Sequence, residues 1–103
     1  MGWFSWFDRI TVAAQALYYI WTYGSKFLEV QKQHPDWSLA RCIKALFPNI
    51  PKPVAEYIVE EHWNSVKRAV TPPITEHQQK IYWEAEEHRK RELKDMEDNW
   101  DKW

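Results

Sequence analysis

From Ser5 to Gln33 apolar residues recur at spacings of three and four. Trp3, Phe7, Ile10, Ala14, Leu17, Trp21, Gly24 and Leu28 fall on one line, with Trp6, Ala13, Ile20 and Phe27 beside it. That period predicts an α-helix with a broad apolar face. Asp8, Thr11, Gln15, Thr22, Ser25 and Glu29 lie opposite. Val12, Ala16, Tyr18, Tyr19 and Tyr23 widen the apolar sector past half the circumference, more than a surface helix needs.

Proline then divides the chain at 35, at 48, 51 and 53, and at 72 and 73. Each cluster predicts a helix boundary, because proline has no N–H to donate and forces the preceding residue out of the α region. A second helix is expected from Trp37 to Phe47, capped by Asp36 or Ser38, with Leu39, Cys42, Ile43, Leu46 and Phe47 on one face. A third is expected from Pro53 to Val70, with Ala55, Ile58, Val59, Val66 and Ala69 inward, making a short hairpin with the second. Thr75 followed three residues later by Gln78 fits a capping box and opens a fourth helix that nothing breaks before Asp101. On that helix Glu76 with Lys80, Glu86 with Lys90, Glu87 with Arg91 and Asp98 with Lys102 stand in the favourable i to i+4 order, each pair worth about 0.3 kcal/mol. Tyr82, Leu93, Met96, Trp100 and Trp103 leave it only a thin apolar seam. No stretch alternates apolar and polar residues in the manner of a strand.

The expected class is therefore all-α with four helices: a long aromatic N-terminal helix, a short Pro-bounded helical hairpin and a long charged C-terminal helix. Residues 1–33 form an amphipathic or membrane-associated unit, 34–71 the compact hairpin, and 72–103 an extended arm for interaction.

Composition sharpens this picture. Eight Trp, five Tyr and four Phe in 103 residues look at first like an oversized core, but a chain this short can build only a thin one, and on the expected helices many of these side chains face outward from it. Two Gly rule out glycine-rich phosphate loops, and a single Cys rules out an internal disulfide, which points to a reducing, intracellular setting. The net charge of −1 hides an asymmetry. Residues 1–70 carry eight Lys or Arg against six Asp or Glu, and residues 71–103 carry six against nine. Neither part has the basic excess that binding to nucleic acid requires.

Sixteen residues, Ile10 to Ser25, carry no formal charge. A membrane span takes about 20 predominantly apolar residues, with a working minimum near ~17, so the window is short. Yet Trp3, Phe4, Trp6 and Phe7 at one end and Tyr18, Tyr19, Trp21 and Tyr23 toward the other are placed as at a membrane interface. The segment fits a short transmembrane helix, an interfacial helix, or a helix buried against protein. Lipid contact would run through residues 3–28. A cleavable signal is not expected, for want of a basic leader and a small-residue cleavage pattern.

Catalytic chemistry is thinly represented. His34, His62, His77 and His88 never share a helical face at i, i+3 or i, i+4. His62 follows Glu60 and Glu61, but Val59 occupies the place from which a Glu-x-x-His pair would bind metal. Cys42 has Arg41 and Lys44 nearby and no base in local register, so it reads as a small hydrophobe. Glu56, Glu60 and Glu61 along the third helix argue against a DNA-reading hairpin. Neither a cofactor nor a metal is expected.

This layout is similar to that of small accessory subunits of membrane-bound respiratory or ATP-synthase complexes. The likeness implies a non-catalytic subunit of a multiprotein complex, membrane-associated, with the mitochondrial inner membrane as its place. The alternative is a soluble helical adaptor or virion component. Other protein subunits are the expected partners, met through Trp3, Phe4, Trp6, Phe7, Trp21, Trp83, Trp100 and Trp103.

Overall fold

Proline and capping chemistry set the helix ends. The computed structural model describes residues 2–103, with side chains from Thr11 onward. Among these are four α-helices and no strand: α1 (Gly2–Gln33), α2 (Leu39–Leu46), α3 (Lys52–Ala69) and α4 (Glu76–Asn99), with a closing 3₁₀ turn at Trp100–Lys102. Ser38, rather than Asp36, caps α2, its hydroxyl accepting from the Arg41 N–H at 3.2 Å. Pro53 stands in the first turn of α3. The Thr75 hydroxyl accepts from the Gln78 N–H while the Gln78 side chain accepts from the Thr75 N–H, so the expected capping box closes on both sides. The Thr71–Pro72 peptide between α3 and α4 is cis.

α3 packs against both α1 and α4, and α2 closes one end against all three. The core forms where they converge. α1 contributes Ala16 and Phe27, α2 Leu39, Ala40 and Ile43, and α3 Val54, Ala55, Ile58 and Val59. Phe47, just past α2, meets Tyr19, Tyr23 and Phe27 of α1 with ring centroids 5.1, 4.8 and 5.9 Å away. Edge-on and tilted contacts at this range are the favoured aromatic geometry.

The C-terminal helix departs from expectation. α4 is not an extended arm but lies along α3, and its last residues enter the core through Met96 and Trp100. Trp100 is only 7% exposed, and Trp103 packs half-buried at its edge with centroids 6.2 Å apart. Lys44 of α2 holds this end. Its ammonium lies over the Trp100 ring at 4.6 Å and donates to the Trp100 carbonyl, placing a cation at the negative end of α4. The thin seam read from sequence suffices because α2 and α3 supply the complementary surface.

The charge pairs along α4 are rearranged for the same reason. Glu86 takes Lys67 of α3 at 2.6 Å and Arg89 at 2.6 Å, and Arg89 reaches Glu60 of α3 at 3.4 Å. None of the four expected i to i+4 pairs is among the ion pairs of the described residues. With α4 lying on α3, Glu86 pairs with Lys67 and Arg89 with Glu60 across the seam, while the two also pair with each other three residues apart on α4.

The radius of gyration is 14.6 Å, above the roughly 13 Å of a compact chain of this length. At 1.5 Å per residue α1 is about 48 Å long and α3 about 27 Å, so α1 outreaches the element it packs on.

Candidate interaction surface

α1 carries two apolar stripes, and the fold uses one. The inward stripe is Ala16, Tyr19, Ile20, Tyr23 and Phe27, continued by Val12. The line singled out from sequence, Ala14, Leu17, Trp21, Gly24 and Leu28, turns outward. Trp21 is 92% exposed, Tyr18 60%, Leu17 51% and Leu28 45%. α2 and α3 present Phe47, Leu39 and Ile58 to the tyrosine and phenylalanine side, so the inner stripe is chosen by what it meets rather than by its own hydrophobicity.

The outer stripe has a relief of its own. Beside it, between α1 and α3, runs a groove of about 180 Å³ lined by Ile20, Gly24, Phe27 and Leu28 of α1 and Ile58 of α3. A Cβ built on Gly24 would meet nothing within 4 Å, so the backbone here faces open space beside the groove. His62 and Glu61 of α3 also line it. Burial lowers the His62 pKa, which favours neutral imidazole there. The surface is thus an apolar ridge, highest at Trp21, next to a largely apolar trough.

The eight contact residues expected from the sequence fall into separate places in the structure. Trp21 and Trp83, the latter 63% exposed, are open. Trp100 and Trp103 serve the chain's own core and its edge, correcting their expected place on a free arm. The side chains of Trp3, Phe4, Trp6 and Phe7 lie outside the described residues. Leu17, Tyr18, Gly24 and Leu28 were not singled out as contacts, although the three-four spacing already held three of them.

A second concavity, open and about 510 Å³ in volume, lies between the α1–α2 turn and α4, with Trp37, Trp63, His88 and Glu92 in its lining. Its chemistry is directed inward. Glu92 is buried; one carboxylate oxygen accepts from the Leu39 N–H at the start of α2, the other from the Trp63 indole N–H. Burial raises the Glu92 pKa, against the pull of the donors from Trp63, Leu39 and Ala40. Trp63 in turn stacks on His88 at 4.8 Å and 11°. Trp37 stacks on His34 at 3.8 Å and has the Arg41 guanidinium 4.5 Å from its ring. Both tryptophans are engaged within the chain, and Glu92 ties α4 to α2 and α3.

Cys42 is fully buried, and burial with the nearby Glu92 charge pushes its thiol up to about 11. No group of three or more His, Cys, Asp or Glu among the described residues could hold a metal ion. No helix among them is long and apolar enough to cross a membrane. Comparison with family models, with curated proteins and with solved structures yields no match. The surface itself therefore carries the functional reading.

Proposed function

We propose that this chain is a non-catalytic helical subunit of a larger assembly, joined to it through the outward face of α1. The observation that carries the reading is Trp21, 92% exposed in an uncharged stretch beside Leu17, Tyr18 and Leu28, while the core is complete without any of them. A helix apolar on both faces is built to be covered on both. Trp is also the residue most enriched among side chains that dominate protein interfaces. The buried, weakly acidic Cys42 and the internally satisfied Glu92 support a structural rather than a chemical role. In a membrane-bound assembly of the kind that the layout resembles, the same face would meet a neighbouring subunit beside or at the lipid surface.

The test is the size of the native assembly. Tagged wild-type chain and Trp21→Glu are expressed in the source cells and compared by native gel filtration with immunodetection. Wild type is expected in a large species and the variant in a small one, with equal helicity of the two purified chains. Co-elution of both in the same large species refutes the reading.

A further inference from the structure

We propose that the occupant of the outer stripe of α1 is the same stripe of a second copy of this chain, running antiparallel, with each Trp21 entering the groove over Gly24 of the other copy. This rests on the reading of that face as an interface and adds its partner. A two-fold contact demands that ridge and hollow occur on one surface, at equal distances from the axis. Trp21 and Gly24 meet that demand. They lie one turn apart on the outward line, the first 92% exposed and the second bordering a trough sized for one large side chain.

The rest of the register follows without adjustment. With Trp21 level with Gly24 of the other copy, the axis passes between Thr22 and Tyr23, and Leu17 comes level with Leu28. Trp21 and Leu28 occupy one position of a seven-residue repeat, Leu17 and Gly24 the complementary one, so every level pairs one position with the other. Charge is compatible as well. Ile10 to Ser25 bears no formal charge, and Lys26 and Glu29 of each copy come level with Tyr19 and Ala16 of the other. Along α1 no like charges are brought face to face, and each Trp21 comes to the Glu61 and His62 side of the trough as an uncharged side chain.

Area sets the strength. An aromatic side chain offers about 150–250 Å² and Trp21 is nearly all available, so with Leu17, Tyr18 and Leu28 the stripe amounts to roughly 500 Å² per copy. The trough walls add to that. Specific interfaces begin at about 600 Å² per partner, which places this one at the small end and makes the dimer reversible and concentration-dependent.

Sedimentation velocity of the full chain from about 1 μM to about 1 mM, the range suited to an interface of this size, reads the outcome directly. Wild type is expected to pass from monomer to dimer. Trp21→Glu removes the ridge, and Gly24→Leu sets a bulky side chain in the path of the other copy's Trp21 from a position where an added Cβ meets nothing within 4 Å; both are expected to associate at least about tenfold more weakly, with circular dichroism of each dilute monomer unchanged from wild type. Orientation is read by mixing Leu17→Cys with Leu28→Cys under mild oxidation: a mixed 17–28 crosslink is expected. A wild-type chain monomeric throughout, a dimer that survives both substitutions, or crosslinks confined to 17–17 and 28–28 would each overturn the proposal. So would a monomer that floats with phosphatidylcholine–phosphatidylserine vesicles through Trp21, which would make lipid the occupant. If the chain is monomeric but Trp21→Glu still leaves the native assembly, the second copy is refuted and the subunit reading stands; if it remains in the assembly, both fail.

Discussion

Replacing Glu92 by Ala tests the keystone of the fold. The carboxylate reaches from α4 to the first N–H of α2 and to the Trp63 indole of α3, joining three helices at one buried point. Without it the Leu39 N–H and the Trp63 Nε1–H lose their acceptor, and a buried donor left unmet costs about 1–3 kcal/mol. Water from the neighbouring open groove can reach part of this site, so the lower half of that range applies to each donor, and the lost side-chain packing adds to it. The expected loss is about 3 kcal/mol, a large share of the roughly 5–15 kcal/mol by which domains are stable. For a chain of this size that lowers Tm by roughly 12–20 °C. Glu92→Gln keeps the volume but sets an amide N–H against one of the donors, and should fall between the two. Urea unfolding followed by Trp fluorescence and by circular dichroism measures the loss. A loss below about 1 kcal/mol in the Ala variant would refute the reasoning, since Ser38 alone would then suffice to start α2.

Four further outcomes follow from the packing and the charges. Trp100→Ala should cost about 3–5 kcal/mol in urea unfolding, as a buried aromatic does, whereas Trp21→Ala at low protein concentration should stay within about 0.5 kcal/mol of wild type. Glu86 accepts hydrogen bonds from Arg89 and Lys67 that hold its carboxyl down to about 2; its contribution is present above the unfolded carboxylate range and is lost as pH falls toward 2, so Glu86→Gln should flatten the acid limb of stability against pH. Glu92 has the opposite sign: burial raises its native pKa, the folded chain binds that proton more readily, and stability falls as pH climbs from the unfolded value through the raised one, a slope that Glu92→Gln removes. Cys42, buried with its thiol near 11, should resist a thiol reagent at pH 8 until urea unfolds the chain, and prompt labelling of the native protein would contradict that placement.

Much of the architecture was legible in the sequence because local chemistry decides it. Prolines 35, 48, 51, 53, 72 and 73 mark the helix ends, Ser38 and the Thr75–Gln78 box start α2 and α4, and the three-four spacing of α1 is unbroken over its length. What stayed hidden depends on residues far apart in the chain. Periodicity shows one broad apolar face on α1 but not that it divides into an inward and an outward stripe, because that is settled by what Phe47, Leu39 and Ile58 meet. Glu92 looks like one more charge on a solvated helix until Trp63 and Leu39, 29 and 53 residues away, close on it. Trp100 and Trp103 looked stranded for the same reason, since Lys44 and the core that receive them lie on elements formed half a chain earlier.

Cover over the outer stripe of α1 in the native assembly is the central claim of the proposed function. Hydroxyl-radical footprinting of Trp21, with Trp83 as an exposed reference and Trp100 as a buried one, measures this in the intact assembly and in the dilute isolated chain. The prediction is that Trp21 is oxidised as readily as Trp83 in the dilute chain and becomes nearly as protected as Trp100 in the assembly. Equal oxidation of Trp21 in both would contradict the claim that this face is an interface.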